Sequence, residues 1–466
     1  MAAHGNEADS HHSQFLRVLL VGLFSSNFEF EMEGCKVFRK VFVNYKVVQL
    51  LKGAFMMEAK GFRKSGHFPS LMSAFLYFDV SFMIWVLCGS LSLFITKDFG
   101  LSDTQKATMV AIPILGGSVF RIPMGILADR IGAKKAGLIG MTLTIVPLLW
   151  AWLGGTSLLQ VQSIGFLLGF AGASFAVSLS LASRWYPPQY QGLAMGIAGA
   201  GNSGTALATF FGPQLAEAYG WHNVFGMAII PLLIVLIVYA VLAKDAPNAP
   251  APKTMKDYLS VFKFAETWWF SIFYAITFGG FVGFASYFSI FFYDVYGDNL
   301  HPGGISKIQV GYLVTITVIA GSFFRPVGGW IADKIGGMRF LGILYSVITI
   351  CAFAIATMPS SFLVMLLYTS VMMACLGMGN GSVFQIVPQR FSKEIGVVTG
   401  IVGAAGGLGG YLLPKYILGP LKESTGSHVT GFLVVASIVL VTTLIFFAVT
   451  RSWRKSWAST ESGINF

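Results

Sequence analysis

Charged residues are scarce in this sequence: Asp, Glu, Lys and Arg make up only 11% of its 466 residues. Ordinary water-soluble domains carry about 25%. Hydrophobic residues instead account for 55% of the chain. The composition therefore excludes an ordinary soluble protein and predicts a polytopic membrane protein.

Cysteine is also rare, and none of the spacings is typical of a metal site or a redox pair. The four positions are Cys35, Cys88, Cys351 and Cys375. We interpret them as small core residues. The sequence likewise lacks a nucleophile–base set, a metal-binding cluster and a phosphate-binding loop, so it predicts no enzyme, no cofactor and no metal site.

Long apolar runs fill the chain beyond its first seventy residues. About twelve of them contain 18 or more residues, enough to cross about 30 Å of hydrocarbon as a helix. The net charge of +11 would suggest nucleic acid in a soluble protein, but Lys and Arg here concentrate in loops and tails on one side of the membrane. The positive-inside rule then places both termini in the cytoplasm. We expect a multi-pass protein of the cytoplasmic membrane, with lipid and not nucleic acid around it.

The stretch DAPNAPAPKTMK, rich in proline and containing two lysines, predicts a linker between two halves. The expected order is an N-terminal extension (1–56), a six-helix half (57–244), a cytoplasmic linker (245–263), a second six-helix half (264–450) and a cytoplasmic tail (451–466). The extension has an apolar run of only ten residues, too short to span a bilayer. We expect it to be disordered or absent from a functional chain that begins at Met56 or Met57.

One segment occurs twice, 204 positions apart. GSVFRIPMGILADRIG at 117–132 matches GSFFRPVGGWIADKIG at 321–336, with nine of the sixteen residues identical. The repeat aligns Arg121 with Arg325, each within apolar sequence. Each arginine precedes an acid–base pair by eight residues, so it lies about 12 Å deeper along a helix. If the pairs mark the membrane surface, both arginines lie near its midplane.

A second repeat has the same offset. GLAMGIAGAGNSG at 192–204 matches GVVTGIVGAAGGL at 396–408, which makes the fifth and eleventh helices counterparts. Two halves of this kind are typical of transporters that bind substrate between the halves near the midplane. The predicted fold is all-α, with twelve transmembrane helices in two pseudo-symmetric six-helix halves.

Glycines recur along both of these helices, where they predict close helix–helix approach. Sliding between helices and static packing both explain them. They are Gly196, Gly199, Gly201 and Gly204 in the first half, and Gly400, Gly403, Gly406, Gly407, Gly409 and Gly410 in the second.

The segment GILADRIGAKK at 125–135 resembles the loop between helices 2 and 3 of the major facilitator superfamily. The paired arginines and glycine-rich helices together resemble the nitrate/nitrite porter family, closest to its assimilatory members, from about Lys60 to the last helix. The resemblance implies a major facilitator fold and a carrier of nitrate, and also of nitrite, coupled to protons. We expect the carrier to be a monomer. It also implies a conformational loop motif, with Gly125, Asp129, Arg130, Asp333 and Lys334 as its members.

The same resemblance assigns the substrate site. Planar, always charged guanidinium groups suit a flat monoanion such as nitrate, so Arg121 and Arg325 would clasp it from the two halves. Pairing of these arginines with carboxylates is the alternative, although the core has few acids. The other implied residues are Tyr274 as a donor, Phe175 and Phe384 as aromatic walls, and Asn202 and Asn380 as amide donors. Ordinary helix packing is the alternative for each of these.

The means of coupling is left open by the sequence. Asp79 is the only acid inside a helix away from its ends, which makes it a candidate proton carrier. A solvated or paired residue near the cytoplasmic face is the alternative. Nitrate/nitrite exchange would need no protonatable group. A carrier for another small anion or organic acid, and a nitrate sensor, are the competing functions.

Overall fold

The computed structural model describes residues 61–247, 255–298, 304–391 and 395–457, and in this part of the chain it is almost entirely helical. The helices belong to one compact unit, Lys64–Phe466. The predicted extension, residues 1–56, lies outside the described residues. In chain order the long helices are α1 (Phe68–Trp85, Leu87–Ser90 and Ser92–Phe99), α2 (Asp103–Ile131), α3 (Ala133–Leu153), α4 (Leu158–Leu167, Gly169–Gly172 and Ser174–Trp185), α5 (Pro188–Gly199, Ala200–Ser203 and Gly204–Tyr219), α6 (Trp221–Leu242), α7 (Ala265–Tyr296), α8 (Lys307–Ile335), α9 (Gly337–Ala356), α10 (Phe362–Arg390), α11 (Ile395–Leu412, Leu413–Leu418 and Gly419–Thr425) and α12 (His428–Trp457).

Eleven helices in the described part are long and apolar enough to cross a bilayer. The twelfth, α5, is divided by a 3₁₀ segment, Ala200–Ser203, into two pieces that are each too short to qualify alone. A multi-pass membrane protein of twelve helices follows, as the sequence predicted. We refer to α1–α6 as the first half and α7–α12 as the second half.

The duplication seen in the sequence reappears in the local structure of α2 and α8. Ser102 and Gln105 form a capping box at the start of α2, and Ser306 and Gln309 form the same box at the start of α8. Each box supplies partners for backbone N–H groups that a helix start leaves unpaired. Thus the 204-residue offset relates the helix starts as well as the repeated motif.

The ends of these two helices match as well. Gly132 follows α2 with φ +92°, and Gly336 follows α8 with φ +91°. A left-handed conformation of this kind favours glycine, which is why both repeats end on it. We call the end of the helix bundle that holds these two glycines the motif end, and the other end the far end.

The helices depart from uninterrupted membrane spans at several places. In α5 the structure inserts the 3₁₀ segment Ala200–Ser203. The reason lies in packing: a methyl on Gly204 would come within 1.7 Å of the Asp79 carbonyl oxygen, so α1 and α5 are in backbone contact there. A short helix, Met255–Ser260, lies within the predicted linker, and α12 continues to Trp457 in the predicted tail.

Polar contacts join the two halves at the far end. Glu423 of α11 accepts hydrogen bonds from the Ser102 hydroxyl (3.1 Å) and the Thr104 backbone N–H (2.7 Å), at the start of α2. The hydroxyls of Thr209 on α5 and Thr315 on α8 are 2.8 Å apart. These contacts close the far end in this conformation.

Candidate functional site: a buried pair of arginines

Arg121 lies in the middle of α2 and is fully buried. Its Nε donates to the Gly172 carbonyl (3.2 Å) and its Nη1 donates to the Gly403 carbonyl. Gly172 belongs to α4 and Gly403 to α11, so the guanidinium bridges the two halves. Its Cζ also lies 4.6 Å from the ring centroid of Phe278 and 5.5 Å from that of Trp85. Aromatic faces stabilise a cation by electrostatic attraction.

Arg325 on α8 is nearly as buried, at 3% exposure. Both guanidinium groups face one ring, that of Phe175 on α4: the Cζ of Arg121 is 4.9 Å from its centroid and that of Arg325 is 5.5 Å away. The repeat predicted that both arginines lie near the membrane midplane, and the structure places both against the same side chain.

Neither arginine takes part in an ion pair among the described residues. The pairs found there are Lys106–Asp103, Arg184–Asp129, Arg390–Glu266 and His428–Asp294. The alternative in which carboxylates neutralise Arg121 and Arg325 therefore has no ion pair to support it within the described chain. Two unpaired cations in a buried site are costly unless an anion joins them.

Aromatic side chains surround the space between the arginines. Tyr274 and Phe278 on α7 are stacked, with centroids 5.1 Å apart and planes 8° apart. The ring of Phe384 on α10 lies 4.8 Å from Tyr274 and 5.7 Å from Phe175. Phe175, Phe384 and Tyr274, all predicted from the sequence, thus belong to one cluster that draws on both halves.

Several polar atoms around this cluster are buried and lack a hydrogen-bond partner in the described structure. They are Arg121 Nη2, Arg325 Nη1, Tyr274 Oη, and both side-chain polar atoms of Asn202 and of Asn380. Buried polar groups in proteins are nearly always paired, with protein, water or ligand. This concentration of unpaired donors beside two cations is typical of a site for a small anion.

Comparison with known proteins shows the family of this chain. A family model for the Major Facilitator Superfamily matches residues 73–414. The "Nitrite extrusion protein" of Bacillus subtilis is 36% identical, with 77% of this chain and 88% of the relative covered. The "Probable nitrate/nitrite transporter NarK2" of Mycobacterium tuberculosis is 33% identical over 78% of this chain and 91% of its own length. The chain belongs to the nitrate/nitrite porter family of the major facilitator superfamily.

A solved structure shows the fold of this superfamily independently of sequence. The D-xylose–proton symporter superimposes with a TM-score of 0.67 at 15% identity, covering 81% of this chain and 97% of that one. The match confirms the predicted major facilitator fold. At such low identity it carries no information about the substrate.

In this member of the porter family, the glycine nearest each arginine belongs to the opposite half of the protein. A methyl on Gly199 of α5 would lie 3.2 Å from Arg325 Nε, and a methyl on Gly403 of α11 would lie 3.2 Å from Phe175, beside Arg121. Gly199 and Gly403 are 204 positions apart, as the arginines are. The glycine-rich helix of each half therefore makes room for the site residues of the other half.

The remaining predicted glycines fall into two groups. A methyl on six of them would come within about 3 Å of a neighbouring residue: Gly201 against Phe78, Gly204 against Asp79, Gly406 against Tyr274, Gly407 against Ser118, Gly409 against Ala275 and Gly410 against Val282. By contrast, a methyl on Gly196 or Gly400 would meet nothing within 4 Å. These two positions lie on the motif-end side of the arginines and border open space.

The loop motif of the porter lies at the motif end, away from the arginines. Asp129 forms an ion pair with Arg184 of α4, and Arg130 is exposed. Asp245, just after α6, accepts from the Lys134 backbone N–H (3.0 Å) at the start of α3. The sequence analysis missed Asp245.

The corresponding motif residues of the second half, Asp333 and Lys334, lie in the last turn of α8. The Lys334 ammonium lies 3.8 Å from the ring centroid of Trp330. Asp333 is in the last turn of α8, and its side chain is outside the described part of the structure. Gly125, the remaining member of the motif, lies on α2 in the first half. A methyl on it would meet Ala176 at 3.8 Å, an ordinary contact distance.

Asp79 on α1 is partly buried and accepts a hydrogen bond from the Ser203 hydroxyl (2.6 Å). Ser203 belongs to the 3₁₀ segment of α5 and directly follows Asn202. Asp79 therefore adjoins the arginine site through α5, although it makes no ion pair with either arginine.

Phe278 and Trp85 touch Arg121 but were missed by the sequence analysis. Phe278 had a detectable signal, because it lies four residues after Tyr274 and so shares its helix face. Trp85 had none. Its indole donates to the Pro113 carbonyl (2.6 Å), a contact between distant parts of the chain.

Proposed function

We propose that this chain transports nitrate, and also nitrite, across the cytoplasmic membrane by alternating access. The observation that carries the proposal is the pair of unpaired buried arginines, Arg121 and Arg325, facing the ring of Phe175 with unpaired donors around them. The relatives support the choice of anion, since their names specify nitrate or nitrite.

The proposed roles follow from the chemistry of the anion. Nitrate is flat and singly charged, so each guanidinium can donate two parallel hydrogen bonds in the plane of the anion. Tyr274, Asn202 and Asn380 would donate at the remaining positions, and Phe175 and Phe384 would cover the faces. Two cations that face one aromatic ring favour a small planar anion over an organic acid.

The proposed cycle starts from the conformation described here. Contacts such as Glu423 with Thr104 close the far end, whereas Gly196 and Gly400 border open space on the motif-end side. With both termini in the cytoplasm, as the distribution of Lys and Arg indicates, this conformation faces inward. We assign the functional unit as a monomer, with 57–244 and 264–450 as its halves, 245–263 as the cytoplasmic linker and 451–466 as the tail.

Uptake of an anion needs a driving force. Moving one negative charge inward against 100 mV costs about 2.3 kcal/mol. We propose nitrate/proton symport serving assimilation, with Asp79 as the candidate proton carrier, because its carboxylate is bonded to the α5 segment that also carries Asn202.

Nitrate/nitrite exchange is the second candidate, and a specific observation favours it. Neither arginine has an ion pair among the described residues, so the empty site keeps two positive charges that a single anion only half neutralises. An empty carrier with this charge would cross between conformations slowly, which enforces exchange. A relative from Thermus thermophilus, 30% identical over 73% of this chain and 82% of its own length, is named "Probable nitrate/nitrite antiporter NarK1".

Nitrate uptake into vesicles distinguishes proton symport from nitrate/nitrite exchange. Purified protein is reconstituted, and nitrate entry is measured with an imposed proton gradient or with nitrite loaded inside. Entry that follows the proton gradient without internal nitrite supports symport. Entry that requires internal nitrite supports exchange, and no nitrate entry under either condition contradicts the proposed function.

A further inference from the structure

A serine precedes each buried arginine by three residues in the repeated GSxFR segment. Ser118 and Arg121 lie on α2, and Ser322 and Arg325 lie at the matching positions on α8, 204 residues later. Residues three apart share one face of a helix. Each serine therefore faces the same partner helix as its arginine.

On α2, both side chains reach backbone carbonyls of α11. The Ser118 hydroxyl donates to Ala404 (2.5 Å), and Arg121 Nη1 donates to the neighbouring Gly403. These two bonds cross from the first half to the second, so they fix Arg121 relative to the opposite half.

On α8, the matching side chains lack these bonds. The Ser322 hydroxyl is buried at 1% exposure and has no hydrogen-bond partner in the described structure, and neither does Arg325 Nη1. Arg325 nevertheless packs against Gly199, the counterpart of Gly403, since a methyl on Gly199 would lie 3.2 Å from Arg325 Nε. The counterpart of Ala404 is Ala200, the first residue of the 3₁₀ segment.

The two arginines provide a physical reason for this asymmetry. Both cations face one ring in a buried site, and like charges repel strongly where the effective dielectric constant is low. Arg121 is held by its hydrogen bond to the Gly403 carbonyl, whereas Arg325 keeps its Nη1 donor unpaired in the described structure. An anion between them would replace this repulsion by attraction and draw α8 toward the first half, to which both α2 and α5 belong.

We propose that Ser322 is a positioning residue of the anion site. When the anion binds, the Ser322 hydroxyl donates to the Ala200 carbonyl, as Ser118 already does to Ala404, and holds Arg325 beside Gly199. Ser118 thus fixes the position of Arg121 in the empty site, and Ser322 fixes the position of Arg325 in the occupied site. This inference rests on the proposed function, since it needs an anion at the two arginines.

Two matched variants test it, Ser322→Ala and Ser118→Ala, which remove the same atom at corresponding positions. Thermal unfolding of purified protein is measured with and without nitrate, and nitrate uptake gives KM and maximal rate. Ser322→Ala should melt like wild type when empty, bind nitrate roughly three- to tenfold more weakly and raise KM with little change in maximal rate, because only a bond of the occupied state is lost. Ser118→Ala should lower the melting temperature of the empty protein.

Wild-type affinity and KM for Ser322→Ala would overturn the inference, as would a loss of empty-state stability equal to that of Ser118→Ala. If wild type does not respond to nitrate, the same melts with nitrite, chloride and sulfate separate the two proposals. A response to one of these anions that Ser322→Ala weakens supports the positioning role and contradicts only the choice of nitrate. A response to none contradicts both.

Discussion

Arg121 donates a hydrogen bond to the backbone carbonyl of Gly403, so the cation of one half is held by the glycine-rich helix of the other half. The reverse arrangement is present too, since Arg325 packs beside Gly199 of α5. The proposed substrate site and the interface between the halves are therefore built from the same residues. An anion that moves either arginine also moves the contact between the halves, which is what alternating access requires.

The hydroxyl of Tyr274 gives the first prediction. Within the described part of the chain it is buried and has no hydrogen-bond partner, so Tyr274→Phe should leave the stability of the empty protein unchanged. Loss of a hydrogen bond to a charged ligand costs about 1.5–3 kcal/mol, so nitrate affinity should fall roughly ten- to hundredfold. Isothermal titration of nitrate measures this.

Tyr345→Phe is the matched control, because its hydroxyl donates to the Phe273 carbonyl (2.8 Å) away from the arginines. This variant should lower stability by about 1 kcal/mol and keep nitrate affinity. Equal nitrate affinity for Tyr274→Phe and wild type would remove Tyr274 from the proposed site.

Two glycines of α11 give the second prediction. A methyl on Gly406 would come within 2.4 Å of the Tyr274 ring, whereas a methyl on Gly400 meets nothing within 4 Å. Both Gly→Ala changes gain about 1 kcal/mol of helix propensity, so that contribution cancels between them. Gly406→Ala should displace Tyr274 and abolish most uptake, while Gly400→Ala should transport nitrate near the wild-type rate. Similar uptake by both variants would contradict the close packing at Gly406.

The pairing of Arg121 with Arg325 was predictable from the sequence, because a repeat with a fixed offset preserves the position of its residues. The same offset relates the capping boxes at Ser102 and Ser306. The 3₁₀ segment of α5 was not predictable, because the contact between Gly204 and Asp79 that accompanies it is tertiary.

Other parts of the site have no sequence signal. The Gly403 carbonyl is a backbone acceptor, which any residue could supply. Phe278 is one of 42 phenylalanines and stands out only because Arg121 lies over its ring. Site residues could thus be predicted from the sequence where their residue type is rare in a membrane helix, as arginine is. They could not be predicted where the residue type is common or where the contact is made by a backbone atom.

Asp79 carries the third prediction. If its carboxylate binds the transported proton, Asp79→Asn should keep nitrate binding but uncouple uptake from an imposed proton gradient. Ser203→Ala is the companion variant, because it removes the hydrogen bond to Asp79 and leaves the carboxylate in place. It should shift the pH dependence of uptake without abolishing coupling. Unchanged gradient-driven uptake by Asp79→Asn would exclude Asp79 as the carrier.

The far-end contacts carry the fourth prediction. Glu423 accepts from Ser102 and Thr104 at the positively polarised start of α2, so Glu423→Ala should favour opening of that end. A cysteine at Thr315, in a background without native cysteines, should then react faster with a water-soluble maleimide.

Lys422→Ala is the neighbouring control, since Lys422 donates within its own half, to the Gly426 carbonyl. Its labelling rate should match that of the parent protein. Equal rates for Glu423→Ala and Lys422→Ala would show that Glu423 does not hold the far end closed.

The most direct test of the account is nitrate uptake by vesicles that contain wild type, Arg121→Lys or Arg325→Lys. Lysine keeps the charge but loses the planar pair of donors, so each variant should lose at least tenfold in nitrate affinity and most of its uptake, while still folding as judged by its melting temperature. Wild-type uptake by both lysine variants would show that the paired arginines serve the structure alone, and the anion site would have to lie elsewhere.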